Sequence, residues 1–586
     1  MAKNVTGKAF DFSLFRRVMT YVKPYNSMFY TTAFLTIFLA LIALVRPVLI
    51  QITIDDYIKE LDSKGLFYMT ILLIGFLILE SIFQYFFTLL GNLLGQNVIK
   101  DLRNQTFQHV VNFKLKHFDN TPIGQLVTRT VSDIETIAEM FSGGILVIIG
   151  DLLKIFAVVA CMLYINWDLA LISLIPIPIL FMATSVFKKV IKKAFQDVRE
   201  QVSRLNTFVQ EHITGMSIVQ LFNREEVELA AFSAINKKHK AAHIRTVWAY
   251  SIFFPVVEIL SAASIALIVW YGFREVALKH ATSGEIFSFT LFVYMLYRPI
   301  RQLADRFNTL QMGLVSSERV FKVLDTKSII ENEGSKDTEN LQGNIEFKDV
   351  WFAYNDEDWV LKNISFKINK GESLALVGAT GAGKSSIINL LGRYYEINKG
   401  DIFIDNTNIN ELNLKALREF MSIVLQDVFL FSDSILNNIT LYNEEITLEK
   451  VIDAAKKVGA HDFISKLPGG YNYDVKERGA MLSVGQRQLI SFIRAYVHQP
   501  QVLILDEATS SIDSESEELI KHATNVLTKD RTSIIVAHRL STIKNADKIL
   551  VIDKGEIVEE GSHTELLNKN GVYKKLYDYQ FKSQND

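Results

Sequence analysis

The residues best able to do chemistry lie in one short stretch, GATGAGKSS. It comprises Gly378, Ala379, Thr380, Gly381, Ala382, Gly383, Lys384, Ser385 and Ser386. Its glycines and its Lys-Ser pair stand at the spacing of a nucleotide phosphate cradle. Glycine lets the backbone turn tightly, so that successive N–H groups converge on phosphates at a helix N-terminus. Lys384 can then reach the β/γ-phosphates, and Ser385 can hold Mg2+. An ordinary glycine turn is the other reading of this string taken alone.

Two carboxylates downstream favour the cradle. Val502, Leu503, Ile504 and Leu505 form an apolar run that ends in Asp506 and Glu507. Four apolar residues followed by two acids are common in proteins, but beside a phosphate loop they have a specific use. Asp506 would hold Mg2+, directly or through water, and Glu507 would orient and deprotonate an attacking water. The chemistry these residues imply is hydrolysis of a nucleoside triphosphate.

These residues need elements to position them. The apolar run 373–377 before the cradle reads as a buried strand, and Ile387–Leu391 after it as a packed helix. Alternating residues from Ile345 to Phe352 predict another strand, preceded by a polar linker over 325–344. The predicted division is 1–324, 325–344 and 345–586.

The first part has a different character. Six apolar segments, near 28–50, 67–94, 139–165, 168–187, 246–272 and 285–310, reach or approach the ~20 residues that span a bilayer. Before them, Phe10, Leu14, Phe15, Val18, Met19 and Val22 recur at helical spacing, predicting an amphipathic helix at the membrane surface. A soluble amphipathic helix fits the same spacing. The long connectors, 95–138 and 188–245, carry the lysines and arginines, among them Lys100, Arg103, Lys188 and Lys237. That asymmetry places the connectors and both termini in the cytoplasm. Arg46, Glu80, Asp151, Lys154 and Glu258 fall inside the spans, where an ionisable side chain is a functional candidate. Asp151 and Lys154, three apart, can neutralise each other, whereas Glu258 has no evident local partner and is read as lining a cavity.

The whole-chain composition agrees with two unlike parts. Of 586 residues, 49% are hydrophobic, yet 22% are charged, and mean hydropathy is +0.19. A net charge of −2 gives no basic face for nucleic acid. The single cysteine, Cys161, excludes an intramolecular disulfide framework. The N-terminal segment lacks the usual pattern of a cleavable signal.

Between the cradle and the carboxylates lies Leu482-Ser483-Val484-Gly485-Gln486. It resembles the LSGGQ signature of ATP-binding cassette (ABC) transporters, and the chain as a whole resembles an exporter half-transporter of the multidrug and lipid type. The resemblance implies an all-α six-helix transmembrane domain followed by an α/β P-loop ATPase domain. It implies ATP and Mg2+ as cofactors and alternating access in a dimer. Tyr354 would then stack on adenine, and Gln426 would contact Mg2+ and sense the membrane domain. Ser483, Gly485 and Gln486 would meet the nucleotide, Asp513 would belong to the D-loop, and His538 would sense the γ-phosphate. Glu477 matches the acidic position before the signature. His117–Gly124 and Gly215–Phe222 resemble the two intracellular coupling segments. One departure is Val484 where the signature usually has glycine. A β-branched residue resists positive φ, so close approach there would be altered.

The function expected is ATP-driven export of hydrophobic or amphipathic compounds, drugs or lipids, from an integral protein of the cell (inner) membrane. The intact Glu507 speaks against an ATP-gated channel or regulatory protein. A lipid flippase of the lipid A-exporter type stays open. No peptidase-like stretch precedes the first apolar segment, so a leader-cleaving peptide exporter is not expected. A homodimer is preferred to a heterodimer because every site residue sits on this one chain.

Overall fold

The computed structural model describes residues 12–330, 334–339, 341–355, 358–506, 514–537 and 540–581. They form two compact units, one of residues up to 112 with 121–327, the other of 113–120 with 328 onward.

The first unit is helical. Five of its helical stretches, Lys23–Ile58, Ser63–Val111, Ile123–Ile165, Trp167–Thr214 and Glu225–Ala277, are long and apolar enough to cross a bilayer. The helices outrun the apolar segments that predicted them. Ser63–Val111 is continuous over 49 residues, about 73 Å at 1.5 Å per residue, well beyond the ~30 Å hydrocarbon core. Hydropathy marks where apolar side chains stop, and nothing in the following sequence breaks the backbone there.

The sixth predicted span differs. It lies in the helix Ser283–Leu324, which is not among the five. Polar residues and Arg298 dilute its apolar segment, and packing accounts for their presence. Phe289, Phe292, Val293, Leu296 and Tyr297 are buried together with Val158, Leu180 and Val257 from other helices. Neighbours also satisfy its polar groups: the Tyr297 hydroxyl donates to Leu260 O at 3.2 Å, and Ser288 donates to Gln51 at 3.3 Å. A helix enclosed by helices can carry groups that lipid would penalise.

The predicted amphipathic helix forms at Phe12–Thr20. Val18 and, just beyond it, Val22 are buried with Leu102, Ile137 and Phe321 of the same unit. Arg17 donates two 2.7 Å hydrogen bonds to Asp325 and stacks over Phe321.

Among its described residues the second unit holds ten strands: β1 Ile345–Ala353, β2 Trp359–Ile368, β3 Ser373–Val377, β4 Lys399–Ile404, β5 Thr407–Asn408, β6 Met421–Val424, β7 Val502–Asp506, β8 Thr532–Val536, β9 Lys548–Asp553 and β10 Glu556–Gly561. An antiparallel sheet has the order β2-β1-β4-β5, and a six-stranded sheet the order β10-β9-β3-β8-β7-β6. In the larger sheet every pair is parallel except β10 with β9. Both its faces are covered, which explains the unbroken apolar runs. Leu374, Leu376, Ile504 and Val536 face a core shared with β1, β2 and the helix after the cradle. Leu503, Leu505 and Ile535 face a second core under the helices Leu448–Val458, Val484–Val497 and Ser514–Thr528. Part of the predicted linker is tied down: Lys336 N donates to Glu411 O, and Asn413 N to Lys336 O.

Candidate ATP-binding site

The cradle forms as its residue types require. Gly383 precedes the helix Lys384–Leu391 with φ +105, and a Cβ there would lie 2.6 Å from Leu361 Cδ2. At Gly378 a Cβ would lie 2.2 Å from the carbonyl oxygen of Ile552. Both positions therefore need glycine. No side chain caps the helix that follows, so its first N–H groups and the positive end of its dipole are available to an anion.

Lys384 is buried, and its ammonium donates to the carbonyls of Gly378 at 2.8 Å and Ala379 at 2.9 Å. Burial lowers its pKa, and nearby Asp506 opposes the shift. Ser385 is exposed, and its hydroxyl donates to Asp506 Oδ2 at 3.4 Å. Ser386 is buried beneath, within 3.1 Å of the Tyr354 hydroxyl.

Sheet order explains why residues more than a hundred apart in sequence meet. β3 delivers the cradle and β7 delivers Asp506, with β8 between them. In open α/β sheets, ligands bind at the carboxyl ends of such strands. Val424 at the end of β6 pairs with Leu505, so Gln426 and Asp506 leave the sheet at the same edge. A hydroxyl, a carboxylate and an amide oxygen are the hard donors Mg2+ accepts. The donor set thus fits that ion.

The signature opens the 14-residue helix Val484–Val497. Ser483 is its N-cap: the Gln486 N–H donates to Ser483 Oγ at 3.2 Å, and the Ser483 N–H donates to Gln486 Oε1 at 3.0 Å. This reciprocal capping box satisfies two otherwise orphaned donors. Val484 is the first helical residue, 46% exposed, with no positive φ. The expected conformational penalty for a β-branched residue therefore does not arise there. Gly485 is buried, and Arg487 braces the preceding turn by donating to Leu482 O at 2.9 Å. Glu477 is exposed at the start of a short 3-10 turn.

Tyr354 is half-buried, with its ring packed edgewise against Phe352 at 4.7 Å and Tyr395 at 5.0 Å. Glu507, the stretch 510–513 with Asp513, and His538 lie outside the described residues.

Two ionisable residues in the helical unit differ from their sequence reading. Asp151 pairs directly with Arg306 at 3.0 Å, so a partner from another helix joins Lys154 of its own helix in neutralising it. Glu258 has a partner after all, Arg301 at 3.0 Å. Both arginines come from Ser283–Leu324, and no spacing rule within one helix reveals them.

Comparison with known proteins adds to this geometry. Residues 29–300 match the family model described as ABC transporter transmembrane region, and residues 361–510 match the one described as ABC transporter. The chain is 37% identical over 577 residues to the ABC transporter ATP-binding protein YknV of Bacillus subtilis (strain 168), covering 98% of this chain and 96% of that protein. It is also 37% identical over 523 residues to the probable multidrug resistance ABC transporter ATP-binding/permease protein YheH of the same organism, covering 89% and 77%. An ATP-dependent lipid A-core flippase of Syntrophus aciditrophicus (strain SB) is 33% identical over 570 residues, covering 97% and 95%.

With its phosphate cradle, capped signature helix and bilayer-length helices in one polypeptide, the chain belongs to the ABC transporters, as an exporter-type half-transporter. It binds and hydrolyses ATP to drive export, and its helical unit is integral to the membrane.

Proposed function

We propose that two copies of this chain form the working exporter, in which each cradle is completed by the signature helix of the other copy. Ser385 and Asp506, with Gln426 at the same sheet edge, would hold Mg2+. When bound, that ion neutralises charge on the β- and γ-phosphates. Lys384 leaves the loop carbonyls to meet the same phosphates. Glu507 orients and deprotonates the attacking water, and His538 contacts the γ-phosphate. Tyr354 offers an aromatic surface to adenine. Ser483, Gly485 and Gln486 supply hydroxyl, backbone and amide groups from the capped N-terminus, with Asp513 beside them. The observation that carries this reading is the Ser385–Asp506 contact, which brings the β7 carboxylate to the mouth of the cradle.

The basic connectors support a cytoplasmic position for the termini and the ATPase unit, in the cell membrane. The Phe-, Leu- and Ile-rich spans suit amphipathic substrates, and relatives named for multidrug export and lipid A-core flipping point to drugs or lipids. The segment Gly215–Phe222 ends in Ile218, Leu221 and Phe222, which are 62%, 76% and 67% exposed. An apolar tip of this kind supports docking on a second subunit.

The test combines two lesions. Lys384→Ala damages every cradle and Ser483→Arg every signature, so neither variant alone traps nucleotide. Differently tagged and co-expressed, they form hybrids in which both lesions share one site and the other site is intact. Purified hybrids are expected to occlude ATP at one site in a Mg2+-dependent manner. Hybrids that cannot be purified, or that occlude none, overturn the homodimer with shared sites.

A further inference from the structure

The helix Ile177–Thr214 runs unbroken from an apolar segment into a polar one. Its buried residues Leu180, Phe187, Ile191, Ala194 and Val198 recur at helical spacing and form one stripe. That stripe packs on the helix Glu225–Ala277. Leu180, Phe187 and Ile191 share a core with Ala249, Phe253 and Val257, and the Phe187 and Phe253 rings stack at 4.0 Å. At about 3.6 residues per turn, the side away from the stripe first carries Phe181, Met182 and Val186, all exposed. It then carries Lys188, Lys189, Lys192 and Lys193, also exposed. The outward face turns from apolar to cationic within a turn of helix.

Three observations place this boundary at the headgroups of a bilayer. The apolar face belongs to Trp167–Thr214, a stretch long and apolar enough to span the membrane. Next, Arg245 pairs with Asp197 at 3.0 Å while Phe253 meets Phe187. Trp248 lies between Arg245 and Phe253 in sequence, so it stands level with the lysines, and it is exposed. Tryptophan gathers at the membrane–water interface. Last, the chain leaves the lysine charge uncompensated. Asp197 is the first acidic residue of the helix and is taken by Arg245, and among the described residues no acid pairs with any of the four lysines.

We propose that Lys188, Lys189, Lys192 and Lys193 form a site for the headgroup of an anionic phospholipid, whose acyl chains lie against Phe181, Met182 and Val186. The lipid phosphate supplies the charge that the chain lacks there. Lysine suits it, being a compact charge on a flexible apolar stem that reaches the interface. Several such charges beside a spanning segment favour anionic over zwitterionic lipid. The inference needs only a helical unit integral to the membrane, so it stands apart from the pairing of two chains at shared ATP sites.

Trp248 makes the site readable. Trp167→Phe, Trp270→Phe, Trp351→Phe and Trp359→Phe leave it as the one tryptophan of five. The full chain is reconstituted in mixed phosphatidylcholine and phosphatidylglycerol vesicles, with one lipid or the other brominated in its acyl chains. Quenching of Trp248 then gives the local exchange constant between the two lipids. The expected preference for phosphatidylglycerol is at least ~5-fold, what one lysine supplies near an anionic surface. Lys188→Gln, Lys189→Gln, Lys192→Gln and Lys193→Gln together are expected to abolish it. Lys188→Arg, Lys189→Arg, Lys192→Arg and Lys193→Arg together are expected to keep it. Lys237→Gln, Lys238→Gln and Lys240→Gln remove charge about 12 Å or more from Trp248 along its helix, at 1.5 Å per residue. That exceeds the ~10 Å Debye length at 0.1 M ionic strength, so these changes are expected to leave the preference intact. Soluble glycerol 3-phosphate, a phosphate without acyl chains, is expected not to compete.

A parent without preference overturns the proposal, as does a preference that survives the four Gln changes. An equal fall in the Lys237, Lys238 and Lys240 variant overturns it too, since net charge and not a site would then be responsible. Competition by glycerol 3-phosphate would make the ligand a soluble phosphate and overturn the lipid. Native mass spectrometry of the chain with all its tryptophans gives a second reading. The parent and the Arg variant are expected to retain phosphatidylglycerol and the Gln variant to lose it; equal retention by all three overturns the site.

Discussion

Ser483 does two separable things in this reading: it caps a helix, and it meets the phosphate bound by the other subunit. Ser483→Ala removes the oxygen that accepts from Gln486 N at 3.2 Å but keeps the Ser483 N–H bond to Gln486 Oε1. Losing such a cap costs about 1 kcal/mol, which for a domain of roughly 150–250 residues lowers Tm by about 2–4 °C. Ser483→Asp is the informative partner, because aspartate caps as well as serine and its charge suits the helix N-terminus. Its Tm is therefore expected to stay within about 1–2 °C of the parent, a few tenths of a kcal/mol. Against a phosphate, the same charge is repelled. Two unit charges about 4 Å apart at an effective dielectric of 20 interact by about 4 kcal/mol, close to a thousandfold in rate. Differential scanning calorimetry in nanodiscs reads the first quantity and steady-state ATP hydrolysis the second. The expected pattern is a less stable Ala variant and a stable Asp variant that turns over at least ~100-fold more slowly, allowing for screening. Hydrolysis by Ser483→Asp within about threefold of the parent, where RT sets ~1.4 kcal/mol per tenfold, would refute contact between this helix end and a phosphate.

Other outcomes follow from specific geometry. Glu507→Gln is expected to bind MgATP but hydrolyse it at least ~100-fold more slowly and accumulate an occluded form; near-parental turnover would remove Glu507 from the chemistry. Gly383→Ala forces a Cβ to within 2.6 Å of Leu361 Cδ2 at φ +105, so equilibrium binding should show ATP affinity at least ~5-fold lower, the low end of a cost of about 1–3 kcal/mol for such strain; unchanged affinity refutes the need for glycine. Glu258→Gln and Arg301→Gln should each lower thermal stability, and the double variant should recover part of the loss, since each single change leaves one charge unpaired; additive losses would show the pair is not coupled. Arg17 holds the Asp325 carboxyl below its ordinary value, chiefly by hydrogen bonding. The contribution of this exposed pair, under about 1 kcal/mol, is complete above the ordinary carboxylate pKa of about 4 and lost as pH falls below it. Arg17→Gln should abolish that part of the pH dependence of stability, and an unchanged profile would remove the pair from it.

The elements that carry chemistry were the most legible part of the chain. The cradle, the run ending in Asp506 and the Ser483–Gln486 signature are local patterns, and each owes its form to nearby backbone demands. Glycine at 378 and 383 answers a close approach or a positive φ. Serine at 483 answers the orphan donors of a helix end. Val484 misled because the spacing of a motif does not state its dihedrals. Only the start of the helix at that residue showed that no positive φ is required there.

The membrane helices were legible in position but not in extent. Hydropathy reports preference for lipid, whereas helix length depends on where backbone hydrogen bonding stops. Ser63–Val111 therefore runs on through its polar half. Conversely, Ser283–Leu324 is too polar to pass as a lipid-facing span because neighbouring helices, not lipid, surround much of its apolar segment.

By itself, the sequence determined the residue types of the candidate site, their order and the presence of a hydrophobic helical part, because these depend on contacts within a few residues. Tertiary structure decided everything that joins distant segments: Ser385 with Asp506 across β8, Glu258 with Arg301, Asp151 with Arg306, and Asp119 with Tyr395. Such pairs are set by sheet order and helix packing. Those depend on how whole faces are buried, and no local spacing encodes them.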